Sequence, residues 1–359
     1  MSSVLWEFQP VDTWFFRKSI PFGRGQSVGR RDMVFAPLVS TLQGAIRTAI
    51  ARQQGWTPEH PERWPEALGT ADALGAMTLR GPYLSQSGTS LFPFPRHLLR
   101  AKDGWIRLRP GDSVRTDMGW RQLPALERTG HDVAPVENGW LTYDGLSRVL
   151  QGHFPHEDQV LTGDKLWKPE PHTGLTINPH TRTAESGMLF HTVHSRFLSS
   201  TRVALEVRGL PEAWHQDIHL VPLGGEGRFA QVQTSGGTTV PLPPLPVFPP
   251  AGAAEGYKTF MMLLTPGLFP ETDQVLREGP LAVPCLTGVV GRVAMQGGWD
   301  LHRQRPRPLR PLVPAGSVWF YHLSPEQWET VRHLHGQQVG KEQEYGYGQI
   351  VFGLWKERE

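Results

Sequence analysis

Glycine and proline interrupt this chain too often for long helices to form. The 359 residues include 39 glycines and 33 prolines, which together exceed the share of about 12% found in average proteins. Long bundles and coiled coils are excluded because proline removes a backbone donor and glycine favours turns. A hydrophobic fraction of 38% still supports packed cores, and the length fits two domains. We therefore expect short strands and short helices joined by long loops.

Charge and cysteine content narrow the function classes. The formal net charge of +2 gives no global field that would attract nucleic acid or a membrane. Arginine supplies 29 of the 36 basic residues, a ratio that suits phosphate recognition but also a GC-rich genome. The single Cys285 excludes an intrachain disulfide and a multi-cysteine zinc site. With no signal peptide and no apolar run of transmembrane length, the chain is expected to be cytoplasmic and not bound to a membrane.

The hydrophobic pattern gives a similar element order in both halves. In each half a strand and a connecting region precede two strands, a helix, a glycine loop and a last strand, which matches the β-α-β-β-α-β order of the ferredoxin-like fold. The first helix of the second half has only a weak signal. The predicted elements are strands at 4–11, 76–80, 188–193, 202–208, 229–233, 257–264, 286–294, 317–322 and 349–355, and helices at 40–55, 144–150, 211–216 and 325–333.

We therefore predict an α+β protein with two ferredoxin-like (RRM-like) domains and long loop insertions. The first domain covers residues 1–235 and has a loop-rich insertion at about 56–135. Residues 236–256 form a linker rich in proline and glycine, with polyproline II character at 241–246. The second domain covers residues 257–359.

A basic loop precedes the first predicted helix. On that helix, Ser40, Gly44 and Arg47 lie within about 60° of one another, and Ser40 has capping-box spacing to Gln43. Since a helix N-terminus attracts anions, this region favours contact with a phosphate backbone. A solvated basic loop beside an ordinary helix explains the pattern equally well. The basic residues of the loop are Arg17, Lys18, Arg24, Arg30 and Arg31.

A second group of arginines alternates with prolines near residue 305. Proline keeps the chain extended, so the guanidinium groups are expected to point outward beside an aromatic residue, as suits single-stranded RNA. A solvated loop of proline and arginine is the competing interpretation. The residues concerned are Gly297, Gly298, Trp299, Arg303, Arg305, Arg307 and Arg310.

One glycine loop precedes the last strand of each half. Backbone N–H groups in such loops can approach phosphates, although tight turns also explain them. Tyr347 can stack on a base or pack in a core. The loops contain Gly224, Gly225, Gly227 and Arg228 in the first half, and Gly346, Tyr347 and Gly348 in the second.

The fifteen histidines form no recognised metal motif. No His-Glu-x-x-His pair occurs, and neither Gly23-x-Gly25 nor Gly336-x3-Gly340 meets a nucleotide-binding fingerprint. We therefore expect no metal and no cofactor.

Several segments, in order along nearly the whole chain, carry one family resemblance. They are 10–17 with 21–23, 40–47, 79–84, 91–95, 139–142, 173–177, 185–190, 223–228, 297–300, 313–320 and 346–348. The chain resembles the third subunit of the type III-B CRISPR effector (Cmr) complex, of the RAMP superfamily. Residues 100–135 and 236–256 have no part in that likeness.

The resemblance implies two ferredoxin-like domains and a non-catalytic role in an antiviral ribonucleoprotein. The chain would bind the repeat-derived 5′ tag of the guide RNA. It would dock the large polymerase-domain subunit to the backbone RAMP subunits, and it would not form a homo-oligomer. By position, the resemblance implies RNA contact first by Arg17, Lys18, Ser40, Gly44, Arg47 and the loop 224–228, and then by 297–299 and 346–348.

Two other functions compete with that one. Related RAMP proteins cut guide-RNA precursors, so the chain could be a metal-independent endonuclease with His194, His215 or His219 as general base. A carbohydrate-active protein is suggested by 13 tryptophans, but no pair of carboxylates lies beside them.

Overall fold

The structure is a computed structural model that describes residues 3–18, 33–117, 119–128, 132–198, 200–248, 256–300 and 303–355. Its helices are α1 (Val39–Gln53), α2 (Tyr143–Leu150), α3 (Thr272–Glu278) and α4 (Pro325–Val331). Its strands are β1 (Val4–Pro10), β2 (Thr78–Gln86), β3 (Thr89–Pro93), β4 (Leu98–Ala101), β5 (Gly104–Thr116), β6 (Gly119–Leu126), β7 (Val133–Pro135), β8 (Gly139–Leu141), β9 (Val160–Thr162), β10 (Trp167–Ile177), β11 (Ala184–Phe197), β12 (Thr201–Arg208), β13 (Leu220–Pro222), β14 (Phe229–Gly236), β15 (Tyr257–Leu263), β16 (Cys285–Val289), β17 (Ala294–Gln296), β18 (Trp299–Asp300), β19 (Arg305–Pro306), β20 (Arg310–Leu312), β21 (Val318–Leu323) and β22 (Ile350–Leu354). Within these residues, every helix is too short or too polar to span a bilayer.

The chain divides into two compact units, each built from separate segments. Unit 1 comprises Met1–Gly88, Gly163–Thr239 and Met295–Arg310, and unit 2 comprises Thr89–Thr162, Val240–Ala294 and Pro311–Glu359. The sequence prediction differs in two respects, since it assigned residues 89–162 to the first domain and residues 295–310 to the second. Sequence order alone does not reveal which core a segment joins.

Unit 1 contains a mixed α/β arrangement on an antiparallel sheet of order β13-β14-β1-β12-β2. Between β12 and β14 the chain forms a short 3-10 helix, Glu212–His215. Strand β1 lies inside the sheet, between β14 and β12, and its alternate residues Val4, Trp6 and Phe8 are buried. Helix α1 adds three fully buried residues at helical spacing, which are Leu42, Ile46 and Ile50.

The predicted capping box of α1 does not form. The N-cap is Leu38, which has no side-chain acceptor. The Gln43 side chain donates to the carbonyl oxygen of Ser40 at 2.9 Å, because Ser40 already lies inside the first turn. This prediction was wrong by two residues, a common error at helix ends.

Unit 2 has a second antiparallel sheet, of order β16-β21-β15-β22. Its core includes Met261, Trp319, Tyr321 and Phe352. Helix α4 begins with a capping box from Ser324 and a proline in its first turn. Helix α3 has only one buried residue, which explains why the sequence signals it weakly.

Residues 56–135 are richer in strands than the sequence predicts. Strands β2 to β7 lie within this range, and β5 and β6 pair as a long hairpin. The distal part of the hairpin exposes both faces, with Trp120 66% and Leu123 53% accessible. A strand exposed on both sides lacks the apolar–polar alternation that identifies a strand in sequence.

Residues 240–248 of the proline-rich segment belong to unit 2 and pack within it. His335 Nε2 lies 2.9 Å from the carbonyl oxygen of Pro243, and the rings of Phe248 and Trp328 are 4.5 Å apart. Residues 240–248 of the predicted linker are therefore packed against unit 2. Residues 249–255 lie outside the described residues.

Candidate nucleic-acid interface

The glycine loop 223–228 of unit 1 turns tightly between β13 and β14. The amide of Leu223 donates to the carbonyl oxygen of Arg228 at 2.8 Å and closes the loop. Gly224, Glu226 and Gly227 all have left-handed φ angles, of 103°, 56° and 66°. Such angles favour glycine, so the glycines allow a backbone turn that most residues disfavour.

The segment that follows β1 fixes this loop from one side. Gly225 donates its amide to the carbonyl oxygen of Phe15 at 2.9 Å. A Cβ atom at Gly225 would lie 3.0 Å from the Phe15 ring, and one at Gly224 would lie 3.2 Å from the Phe15 carbonyl oxygen. Small residues are therefore required at positions 224 and 225 by the close approach of Phe15, and the turn also favours glycine at position 224.

The same segment pairs on its other side with β11. Trp14 and Ser195 exchange backbone hydrogen bonds of 2.9 and 2.7 Å. Arg17 and Lys18 follow immediately and are exposed. The structure thus places both predicted basic residues within three positions of Phe15, which contacts the glycine loop. The other three, Arg24, Arg30 and Arg31, lie outside the described residues.

Arg228 closes the glycine loop and belongs to a series of linked ion pairs. Its Nη1 lies 3.2 Å from one carboxylate oxygen of Asp12, whose other oxygen lies 3.0 Å from Arg196 Nη2. Arg196 also pairs with Glu170. The pKa of Glu170 falls to about 2, chiefly because Arg196 donates hydrogen bonds to it. Residues 12, 170 and 196 carry no sequence motif, and only the alternation of Glu170 on β10 and Arg196 on β11 could have suggested a common face for those two.

Helix α1 does not present its guanidinium to solvent as the helical wheel predicts. Arg47 is 7% exposed. Its Nη2 donates to the carbonyl oxygen of Thr70 at 2.5 Å, and its guanidinium lies 5.5 Å from the Trp64 ring. The Ser40 hydroxyl accepts a 2.9 Å hydrogen bond from Gln296, while Gly44 remains open. A helical wheel predicts the side of the helix on which a residue lies, but it cannot show that residues 64–70 cover that side.

Two arginines of the second group, Arg303 and Arg307, form ion pairs with carboxylates. Arg303 pairs with Asp72 at 2.7 Å and Asp300 at 3.0 Å. Arg307 lies 3.7 Å from Asp300 and donates to the carbonyl oxygen of Ala71 at 3.1 Å. The pKa of Asp300 is lowered chiefly by the backbone N–H of Arg303. These contacts attach Arg303 and Arg307 to the loop near residue 72.

Arg305 is exposed and lies opposite Asp300 in the β18–β19 pair. Gly298 has a positive φ angle, and its carbonyl oxygen accepts a 2.9 Å hydrogen bond from the Arg307 amide. Gly297 and Trp299 lie beside it in the same turn-and-strand segment. Arg303, Arg305 and Arg307 are therefore all exposed, but Arg303 and Arg307 are held in ion pairs with carboxylates.

The glycine loop of unit 2 is a buried turn. A Cβ atom at Gly348 would lie 2.0 Å from the carbonyl oxygen of Val339. The carbonyl oxygen of Gly346 accepts a 2.7 Å hydrogen bond from the Thr265 hydroxyl. Tyr347 is 3% exposed, so the predicted stacking on a base is not available to it. The two glycine loops look alike in sequence, but their surroundings differ.

The candidate histidines occupy three different environments. His215 Nδ1 accepts from Trp6 Nε1 at 2.9 Å, and burial lowers its pKa to about 4. His194 is fully buried, and His219 is exposed. Within the described ranges, no three His, Cys, Asp or Glu residues converge in a way that could hold a metal ion.

Comparisons with known proteins give one family. The model of the family described as "CRISPR-associated protein (Cas_Cmr3)" matches residues 6–355. No curated protein matches the chain.

Two solved structures share the fold. A cryo-EM structure of the type III-B Cmr-beta complex bound to cognate target RNA contains a chain with 14% identity and a TM-score of 0.52, over 97% of this chain and 96% of that chain. Another, bound to cognate target RNA and AMPPnP, gives 16% identity and a TM-score of 0.50, over 89% and 86%.

Proposed function

The chain belongs to the CRISPR-associated Cas_Cmr3 family, and from that membership we propose that it is the third, RNA-binding subunit of a type III-B CRISPR effector. In this proposal it binds the 5′ tag of the guide RNA and docks the large polymerase-domain subunit to the backbone RAMP subunits. It is cytoplasmic, carries no catalytic site and acts as one copy among different subunits.

The observation that carries the RNA-binding role is the glycine loop 224–228. Its backbone is held in left-handed turns against Phe15, and Gly227 has open space around it, since a Cβ atom there would meet no atom within 4 Å. An RNA backbone can approach such a loop closely, and exposed Arg17 and Lys18 supply positive charge nearby. We place the RNA contact there and not at Arg47 or Tyr347, because Arg17 and Lys18 are exposed whereas those two side chains are buried.

The sheets support the proposal that both units are ferredoxin-like. In unit 1 the first strand of the motif, β1, lies between β14 and β12, and β2 lies outside β12. In unit 2 the strand β15 lies between β22 and β21, and β16 lies outside β21. Both orders are those of a split β-α-β motif completed by a fourth strand. A 3-10 helix replaces the second helix in unit 1.

The endonuclease alternative has less support. Two of its three candidate bases, His194 and His215, are buried at 0% and 2% exposure and are held by internal hydrogen bonds. A general base must reach the 2′-hydroxyl of the substrate. His219 alone is exposed, and no observation favours cleavage by it.

Guide-RNA binding by the assembled complex tests the proposal. The double variant Arg17→Ala/Lys18→Ala should weaken binding of a 5′-tagged guide by about tenfold. The slope of the logarithm of its binding constant against the logarithm of salt concentration should become shallower by the equivalent of about two phosphate contacts. Arg52→Ala, an exposed arginine at the end of α1, is the matched control and should bind as the unmodified protein does. Equal affinity of all three proteins at every salt concentration would contradict the proposal.

A further inference from the structure

His194 lies fully buried beneath the glycine loop and links three separate parts of unit 1. It belongs to β11, where it stands opposite Glu170 of β10. Its Nδ1 lies 3.0 Å from the Thr13 hydroxyl, and its Nε2 lies 3.1 Å from Glu226 Oε2. One imidazole ring thus connects the β10–β11 pair, the segment after β1 and the centre of the loop.

The hydrogen bonds determine which ring nitrogen carries the proton. A carboxylate only accepts, so Nε2–H donates to Glu226, and Nδ1 accepts from the Thr13 hydroxyl. The Thr192 hydroxyl, 3.2 Å from Nε2, completes the surroundings. Burial, and then the neighbouring His172 and Arg228, lower the pKa of His194. The neutral ring is therefore the form that satisfies every partner.

Two rings prevent the imidazole from turning away. His172 stacks on it with centroids 4.0 Å apart and planes 14° apart, and Phe15 stacks at 5.0 Å and 22°. Phe15 is also the residue whose carbonyl oxygen holds Gly225. The stack therefore fixes the direction in which His194 meets the loop.

Glu226 is the residue whose placement needs explaining. It has a left-handed φ angle of 56° although it is not glycine. Its carboxylate is also a poor neighbour for RNA phosphates, since like charges repel. The bond from His194 holds this carboxylate on the inner side of the loop and leaves its side chain 35% exposed.

We infer that His194 is a positioning residue, which fixes the glycine loop for RNA by holding the Glu226 carboxylate away from the phosphate path. This inference rests on the proposed RNA contact of the loop. It assigns His194 a structural bond within the binding site and no chemical step. It also gives Glu226 an inward role, although the residue is next to Gly227, which has open space around it.

Single variants separate the hydrogen bond from the packing. His194→Ala removes the donor and should weaken guide binding by the assembled complex about tenfold, as expected for losing a hydrogen bond to a charged group. His194→Gln keeps a donor at a similar reach and should recover most of that loss. Glu226→Gln keeps an acceptor and removes the charge, so its binding should be at least as tight as that of the unmodified protein.

Amide hydrogen exchange provides the second readout. In His194→Ala, exchange should rise at residues 224–227 and stay unchanged in β1 and β12, which distinguishes a loosened loop from general unfolding. His191→Ala is the matched control. His191 lies on the same strand, is exposed and bonds to Thr173 at 2.9 Å, so its removal should leave loop exchange and guide binding as they are.

Three results would overturn the inference. One is unchanged guide affinity in His194→Ala. Another is an equal loss in His194→Ala and His194→Gln, because the ring packing would then matter and the bond would not. The last is weaker binding in Glu226→Gln. If Arg17→Ala/Lys18→Ala weakens binding while His194→Ala does not, only this inference fails; if neither does, the proposed RNA site fails.

Discussion

Arg47 and Arg17 carry the same charge, yet their surroundings give them different roles. The Arg47 guanidinium is buried on Trp64 and donates to the carbonyl oxygen of Thr70. The Arg17 side chain is exposed beside the segment that contacts the glycine loop. At the scale of one residue, accessibility decides which arginines can meet a phosphate.

Substitution of Arg47 should therefore affect stability and not RNA binding. Arg47→Ala leaves the Thr70 carbonyl without its donor and removes the stack on Trp64. We expect the free energy of unfolding to fall by about 1.5–3 kcal/mol, measured by chemical denaturation. Guide affinity of the folded fraction should not change. A variant of unchanged stability that loses guide RNA would show that Arg47 contacts a phosphate after all.

At the scale of elements, the two glycine loops contrast in a similar way. Both precede the last strand of a sheet. A Cβ at Gly348 would collide with the Val339 carbonyl oxygen, whereas a Cβ at Gly227 meets nothing within 4 Å. The loop of unit 2 is shaped by its own core, and the loop of unit 1 has room for a ligand.

Alanine at these two positions should separate stability from binding. Gly348→Ala should lower the free energy of unfolding by more than about 2 kcal/mol, because both its φ angle of 71° and the collision oppose the side chain. Gly227→Ala should cost about 1–2 kcal/mol from backbone strain alone, yet weaken guide binding. Denaturation and guide titration of both variants measure the two effects. The reverse pattern would contradict the assignment of the loops.

The sequence predicts elements best where a strand or helix has one buried face. Strand β1 alternates Val4, Trp6 and Phe8 with half-buried residues, and α1 places apolar residues at helical spacing, so both are found with bounds close to those observed. The β5–β6 hairpin lacks a buried face over its outer part and was missed. Within the site, glycines and basic residues are visible in sequence, but Asp12, Glu170 and Arg196 meet only through the fold.

At the scale of the whole molecule, three buried histidines and the half-buried His335 make stability depend on pH. Burial lowers the pKa of His97 to about 3 and that of His215 to about 4, and it also lowers the pKa values of His194 and His335. The unfolded chain takes up protons at its ordinary histidine pKa near 6.5 while the folded chain does not. Their contribution to stability is therefore present above pH 6.5 and is lost as the pH falls towards the folded values.

We expect the free energy of unfolding to fall between pH 7 and pH 4, with a slope of up to about 1.4 kcal/mol per pH unit for each histidine. His97 provides the control because its ring lies against Phe260 and Phe320, and its Nδ1 has no hydrogen-bond partner. His97→Leu should make the slope shallower. Denaturation at a series of pH values measures it, and an unchanged slope in this variant would exclude His97 as a source.

Crosslinking of guide RNA in the assembled complex tests the central claim most directly. A guide with 4-thiouridine in its 5′ tag is irradiated, and the attached peptides are identified by mass spectrometry. We predict attachment to peptides containing residues 11–18 and 223–228, and its loss on competition with unmodified guide. Crosslinks restricted to residues 299–310 or 340–350, or none to this chain, would contradict the claim that RNA contacts the glycine loop of unit 1.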